Sequence, residues 1–224
     1  MKKQILAVMA SSALLAGNVQ ASSVEGLGVA VNYGLISGPA LELTYPINEY
    51  VQVRGALSAG MGLKETANDT DIAYDVKADG GIHRLNVDYH PFGGTFFLSA
   101  GYAFNDFKLK ANGSKTASVA NPVEVGDQTF TDGSINVNGQ LDWDSAPMLS
   151  LGWGHSPAQG WGAMVEIGAI FTGAPDVSLK GTISEPTLQS QLDSALAEEE
   201  KKLKNDVGDF DFLPVLQAGV TYRF

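Results

Sequence analysis

The sequence predicts an all-β fold: a closed antiparallel eight-stranded transmembrane β-barrel with one short extracellular helix. Three observations carry that expectation. The front end reads as an export signal, a series of segments alternates apolar with polar residues, and the last such segment ends on an aromatic residue. A chain with 26 glycines and no long apolar run suits strands whose lipid-facing and lumen-facing residues alternate.

Lys2 and Lys3 give a positive start, and Ile5 through Ala16 form an apolar stretch too short to span a bilayer. Val19-Gln20-Ala21 places small residues where a signal peptidase reads, so residues 1–21 are expected to be removed and 22–224 to form the barrel. No cysteine is present, which removes a lipoprotein anchor, disulfides and thiolate metal sites. The net charge of −11 belongs to no nucleic-acid binder, because neutralising phosphates needs clustered Lys and Arg. Acidic, solvated loops account for it. No segment after residue 21 holds eighteen consecutive apolar residues, so a transmembrane helix is not expected.

The strands follow in order. Leu27, Val29, Val31 and Tyr33 share one face, opposite Gly28, Ala30, Asn32 and Gly34. After the turn Ser37-Gly38-Pro39, Leu41, Leu43 and Tyr45 alternate with Ala40, Glu42 and Thr44. A tight turn at 46–49 leads to Val51, Val53, Leu57, Ala59 and Met61, opposite Gln52, Arg54, Ala56, Ser58 and Gly60. A long polar stretch over 64–81 precedes Leu85, Val87 and Tyr89, which alternate with Arg84, Asn86, Asp88 and His90. Pro91-Phe92-Gly93-Gly94 turns the chain into Phe96, Leu98, Ala100, Tyr102 and Phe104. A second long polar segment covers 106–142. Leu149, Leu151 and Trp153 come next, then a turn at 156–160 and a strand carrying Trp161, Ala163, Val165, Ile167, Ala169 and Phe171. A third long segment leads to Leu216, Ala218, Val220, Tyr222 and Phe224.

Short and long connections alternate, apart from a short first outer turn, which places the short turns and both termini in the periplasm. Tyr45, Tyr89, Phe96, Trp153 and Trp161, with Tyr222 and Phe224, then form a lipid-facing girdle at the periplasmic end. Tyr33, Tyr102, Phe104 and Phe171 form its counterpart. A soluble β-sandwich shares the alternation and is the rival class. A ten-stranded barrel, with an extra hairpin from Thr129–Leu141 or Val177–Ile183, is the rival topology.

Tyr222-Arg223-Phe224, with hydrophobics at alternate positions back to Leu216, resembles the terminal assembly signal of bacterial outer-membrane proteins. Further blocks resemble a family of small uncharacterised proteobacterial outer-membrane β-barrels. They are Tyr89-His90-Pro91-Phe92-Gly93-Gly94, Leu98-Ser99-Ala100-Gly101, Gly152-Trp153-Gly154, Gly173 to Val177, and the acidic helix leading into Phe212-Leu213-Pro214. The resemblance implies residence in the cell outer membrane. It also implies outer-membrane lipid and lipopolysaccharide, the barrel-assembly machinery and periplasmic chaperones as partners. It brings no substrate and leaves the oligomeric state open.

Parity places Glu42, Asp88 and Glu166 in the lumen with Arg54, Arg84 and Arg223. Buried charges must pair, and an eight-stranded barrel is just wide enough for side chains to fill. Two readings stay open: a salt-bridged polar plug, or a gated narrow pore whose charges sort solutes. No catalytic residue, metal site or cofactor is expected. His155 and Ser156 adjoin but fall in a periplasmic turn beside Pro157. His83 lies near Asp79 at the other end, without a second acid shown to converge on it. The loop carboxylates Asp69, Asp71, Asp75 and Asp79, and Asp127, Asp132, Asp142 and Asp144, lack the glycine and terminal glutamate of a helix-loop-helix calcium site.

Pro186 to Asn205 reads as a helix. Leu188, Leu192, Leu196 and Leu203 share a face, and Glu198–Lys202 and Glu200–Lys204 are spaced as ion pairs. Its apolar stripe is expected to cover a surface, either as a lid across the barrel mouth or as a packed loop. The expected function is that of a non-enzymatic outer-membrane protein, structural or a narrow channel for small solutes. A lipid-active enzyme and a loop-based adhesion or receptor surface are the alternatives.

Overall fold

The computed structural model describes residues 26–67, 72–155 and 159–224. The expected export segment, Asp69, Asp71, Ser156 and Pro157 lie outside the described residues. The strands are β1 (Gly28–Gly34), β2 (Gly38–Pro46), β3 (Val51–Ser58), β4 (Lys64–Ala67), β5 (Tyr74–Asp79), β6 (Ile82–Tyr89) and β7 (Phe96–Asn105). They continue as β8 (Lys108–Thr116), β9 (Val123–Val125), β10 (Gln128–Phe130), β11 (Ser134–Asp142), β12 (Ala146–Trp153), β13 (Gly160–Ile170) and β14 (Asp176–Ile183). Helix α1 (Gln189–Asp206) and β15 (Leu213–Arg223) complete the chain.

Eight of these strands close on themselves in the order β1-β15-β13-β12-β7-β6-β3-β2, every neighbour antiparallel. They are the eight segments that the alternation picked out. Within β2, Ala40, Glu42 and Thr44 are buried while Leu41, Leu43 and Tyr45 are exposed, and β6, β12 and β15 repeat the pattern. Large apolar side chains thus point outward around the whole wall and polar ones point in. Water would penalise such a continuous apolar belt, whereas hydrocarbon accepts it. Aromatic rings gather at both rims of the belt. Phe96 meets Trp153 at 5.3 Å, and Trp161 meets Tyr222 at 5.0 Å, at the end with short turns. Tyr45 and Tyr89 are exposed there as well. Tyr102 and Phe104 meet at 5.2 Å at the opposite end.

The long connections are not polar loops, which corrects the sequence reading of 64–81 and 106–142. They form a five-stranded sheet in the order β14-β11-β8-β5-β4, with a small β9–β10 hairpin. That order repeats the barrel order β13-β12-β7-β6-β3, because each sheet strand adjoins a barrel strand in the chain. Five neighbouring staves of the wall therefore continue beyond the barrel, while β1, β2 and β15 stop at its rim. The segments proposed as an extra barrel hairpin contribute β10, β11 and β14 to this region. The barrel itself closes on eight.

Where the wall passes from barrel to open sheet, adjacent strands carry glycines with left-handed backbones: Gly38 (φ 69°), Gly60 (φ 75°) and Gly80 (φ 80°). A Cβ on Gly60 would lie 1.9 Å from the Gly80 carbonyl oxygen, and one on Gly80 would lie 1.9 Å from that of Asp106. The strands touch backbone to backbone here, and only glycine fits both the turn and the approach. Gly60→Ala is expected to cost about 2 kcal/mol or more, combining the left-handed penalty with the clash. Denaturant melts of the refolded protein in detergent measure it, and a change lost in the error would mean the rim relaxes freely.

Helix α1 covers the apolar face of the sheet. Leu192, Ala195 and Leu196 are buried against Val123, Val125, Phe130, Ile135, Val137 and Ile183. The helix thus packs on β14 and the β9–β10 hairpin, which makes it a packed segment and not a lid across the mouth. It also closes the sheet edge. Gln189 accepts from the Ile183 amide (3.1 Å) and donates to the Gly181 carbonyl (3.1 Å), while Glu200 accepts from the Leu179 amide (3.0 Å). An exposed strand edge would otherwise offer those groups to another chain. The expected Glu200–Lys204 pair forms at 2.7 Å, but Lys202 turns to Asp127 (2.8 Å) instead of Glu198.

Lys204 and the Leu179 amide hold the Glu200 carboxyl below the usual carboxylate range. The charged form is favoured in the folded protein, so its contribution is present at neutral pH and lost as pH falls through the acid carboxylate range. Glu200→Gln is expected to speed hydrogen exchange of the Leu179 amide at neutral pH while leaving the barrel amides unchanged. Equal exchange in both proteins would dismiss the edge-closing role.

Candidate functional site: the charged barrel interior

Alternation sends every second side chain of the eight barrel strands inward, and register sets which of them meet. Glu42 on β2 and Arg54 on β3 lie two residues apart along a shared ladder, since Glu42 pairs Ala56 and Thr44 pairs Arg54. Arg84 and Asp88 come from β6, Ser99 from β7, Ser150 from β12, Glu166 from β13, and Gln217 and Arg223 from β15. All six charged residues expected in the lumen are buried there.

Arg54, only 2% exposed, is the hub. Its guanidinium reaches Glu166 through two nitrogens (2.5 and 3.1 Å), Asp88 through two (both 3.0 Å), and Glu42 at 3.4 Å. The Ser99 hydroxyl takes a further bond at 3.3 Å. The planar five-donor fork is what allows one cation to serve three carboxylates. Arg84 donates to Glu42 (2.8 Å) and to the Gln217 side-chain oxygen (2.7 Å), and Gln217 in turn donates to Glu166. Ser150 donates to Glu166 at 2.5 Å.

The network closes on itself. Gln52 donates to Asp88 (3.2 Å) and accepts from Arg223 (2.6 Å). Arg223 also donates to the backbone carbonyls of Gly26 (2.6 Å) and His155 (3.4 Å). The His155 ring lies 3.3 Å from Glu42. A circuit thus runs Arg54, Glu166, Gln217, Arg84, Glu42, His155, Arg223, Gln52, Asp88 and back to Arg54. Ions stripped of water are tolerable only when partners replace the water, and the circuit supplies most of them, leaving the Arg84 Nε without a hydrogen-bond partner.

Both ends are shut. Toward the sheet, Ile82, Ala103, Ala146, Met148, Ile170, Leu213 and Val215 form an apolar layer with Phe107, which stacks on Trp143 at 5.5 Å. Toward the short turns, Phe97 lies under the Arg54 guanidinium at 5.3 Å from its centroid, between the rings of His90 (5.9 Å) and His155 (5.7 Å). These three rings form the floor of the lumen. A cavity of about 80 Å³ adjoins the floor, bounded by Thr44, His155 and Arg223 on one side and Trp161 and Tyr222 on the other. It has room for a few waters.

Sequence parity missed several members. Gln217 and Ser150 sit between outward leucines and alanine, so the same parity reaches them, as it does Phe97 between Phe96 and Leu98. His155 gave no such signal, because it lies past the end of β12 with a left-handed backbone (φ 47°) that folds its ring back into the lumen. It was expected in a turn, and its ring is part of the floor. His83 and Asp79 do not converge. His83 accepts from the Ser58 amide (3.2 Å), and Asp79 pairs with Lys77 (3.1 Å) and Lys110 (3.4 Å). Among the described residues no three His, Cys, Asp or Glu side chains group as metal ligands.

No protein-family model matches the sequence, and no curated protein matches it. Solved structures do. Acinetobacter baumannii CarO superposes with a TM-score of 0.58 at 25% identity, covering 88% of this chain and 97% of that one. The chain resembles CarO. A second structure, Acinetobacter baumannii CarO2, gives a TM-score of 0.58 at 24% identity over 88% of this chain and 98% of its own. The CarO likeness covers more of the chain than the barrel strands alone hold. The fold is that of a CarO-type outer-membrane β-barrel.

Proposed function

We propose that the chain is a non-enzymatic outer-membrane protein, closed at rest, whose barrel anchors a sheet-and-helix body at the cell surface. One observation carries the reading: the closed circuit around Arg54, sealed by an apolar layer above and aromatic rings below. A conducting lumen would have to break several charge-assisted hydrogen bonds at once, each among the stronger of their kind. The resemblance to CarO-type barrels supports residence in the outer membrane. Removal of residues 1–21 by signal peptidase would put the amino terminus and short turns in the periplasm and the sheet outside. The partners that fit are outer-membrane lipid, lipopolysaccharide, periplasmic chaperones and the barrel-assembly machinery, which would read Tyr222 and Phe224. Those rings also lie at the β1–β15 closure, where the Phe224 amide bonds the Leu27 carbonyl at 3.0 Å.

Conductance of the refolded protein in a planar bilayer tests the proposal. Silence from folded protein is the expected result. Discrete steps that change when Glu42, Arg54 or Glu166 is neutralised would replace the plug with a narrow charge-lined conduit. Altered lipid A on overexpression would replace it with a lipid-active enzyme.

A further inference from the structure

On the outer face of the five-stranded sheet, opposite α1, charge gathers in the rows nearest the barrel. Asp79, Lys108, Asp142 and Asp176 stand in one row and Lys64, Lys77 and Lys110 in the next, so acids and bases nearly balance. Further out the face changes character. The register sets Asn112 beside Asn138, and Ser114 beside Asn136, which adjoins Thr182. Opposite charges flank this field, with Asp75 next to Asn112 and Lys180 next to Asn138. Asp75 is engaged by the Thr66 hydroxyl at 2.9 Å.

Asn112, Ser114, Asn136, Asn138 and Thr182 are exposed, and none of their side chains bonds to another group among the described residues. Asparagine is depleted in strands, where Thr, Val or Tyr fits the pleat better. Three asparagines in the middle of two paired strands therefore cost stability, and threonine or lysine would serve a merely solvated face. Each carboxamide offers two donors and an acceptor oxygen, and each hydroxyl both donates and accepts. Spaced about 4.8 Å across strands and about 7 Å along them, they form a flat, uncharged lattice. Its complement is a chain of hydroxyls that also donate and accept, which is a sugar.

Position names the source of that sugar. Because the sheet continues the barrel wall, its outer face looks sideways, over the leaflet. Asn112 and Ser114 follow Phe104 of the rim by eight and ten residues. At about 3.4 Å per residue and a tilt near 40°, they stand roughly 21 and 26 Å above the aromatic rim, beyond the headgroups. At that height an outer leaflet presents the saccharide of its glycolipid. Among the described residues no aromatic ring stands in these rows, and a flat face gives a free sugar too little to offset its lost freedom. A sugar tethered beside the barrel has a high effective concentration and needs less. We infer that the field around Asn112, Asn136 and Asn138 binds the core sugars of the lipopolysaccharide that surrounds the barrel. This rests on the proposed membrane orientation.

The test offers detergent-solubilised, folded protein equal amounts of lipopolysaccharide bearing its core sugars and of the lipid A prepared from it. Native mass spectrometry reads the two occupancies. The parent is expected to favour the sugar-bearing form roughly tenfold, as suits a few hydrogen bonds of modest net strength. N112V/N136V/N138V, which keeps good strand formers and removes the amides, is expected to lose that preference. K64Q/K77Q/K110Q, which strips charge from the row below, is expected to keep it. No preference in the parent, preference kept by the asparagine variant, or preference lost in the lysine variant would each overturn the inference. The parent supplies a second reading that needs no variant to fold. The side-chain amide NMR signals of its three asparagines should shift with the sugar-bearing form and not with lipid A, and unmoved signals would overturn the inference. Free core oligosaccharide binding as tightly as the whole glycolipid would overturn the tethered source. Failure of the parent to insert into phosphatidylcholine vesicles would overturn the membrane reading together with this surface, whereas insertion without sugar preference would overturn the surface alone.

Discussion

Arg54→Ala is expected to abolish the heat-resistant folded form of the barrel, or to lower its melting point drastically. The substitution leaves Glu166, Asp88 and Glu42 facing one another in a lumen without bulk water. Removing one partner of a buried ion pair typically costs 3–5 kcal/mol, and this cation serves three anions. Whole domains are stable by only about 5–15 kcal/mol, so the loss is of the order of the total. Heat-modified migration and denaturant melts read the effect. Arg54→Met combined with Asp88→Asn and Glu166→Gln keeps Glu42 with Arg84 and removes the excess negative charge. It should recover much of the loss, because the cost lies in stranded charge. A single Arg54→Ala variant as stable as the parent would show that water already reaches the circuit.

Leu192→Asp should separate the two bodies of the protein. Leu192 is fully buried in the apolar cluster between α1 and the sheet, where a carboxylate would lose its water. Loss of a buried leucine side chain costs about 2–5 kcal/mol before the charge is counted. The helix is expected to come off the sheet and become open to proteases, exposing the edge of β14. The barrel should keep its heat-resistant migration, since α1 packs on β14 and the β9–β10 hairpin. Collapse of both together would mean that the sheet cannot stand without its helix and that the wall unfolds as one unit.

The eight staves were legible because a bilayer outside and packed polar groups inside impose an alternation that little else disturbs. Leu41 to Tyr45 and Leu216 to Tyr222 show it without interruption. The outer sheet was not legible, for a physical reason. Its inner face uses glycine and alanine beside the larger residues, as at Gly113, Gly139 and Ala111, and its outer face carries Lys and Asp as a loop would. Such strands look polar on both sides until the register is known. The charged residues were placed by parity, but their convergence on Arg54 depends on shear between strands distant in sequence. His155 was hidden because its direction is set by one left-handed residue and by no repeat.

The shared staves of barrel and sheet bear on how this protein can change over time. In a barrel with free loops, an insertion outside the membrane costs little and the exposed surface can drift rapidly. Here an inserted residue in β5, β8 or β11 would shift a ladder that is continuous with the membrane wall and turn its side chains to the wrong face. Tolerance to length change should therefore concentrate where strands reverse, between β4 and β5 and around 117–122 and 131–133. Antibodies or phages that select for escape should drive variation at those tips, while the lateral faces of the sheet stay nearly as constrained as the barrel.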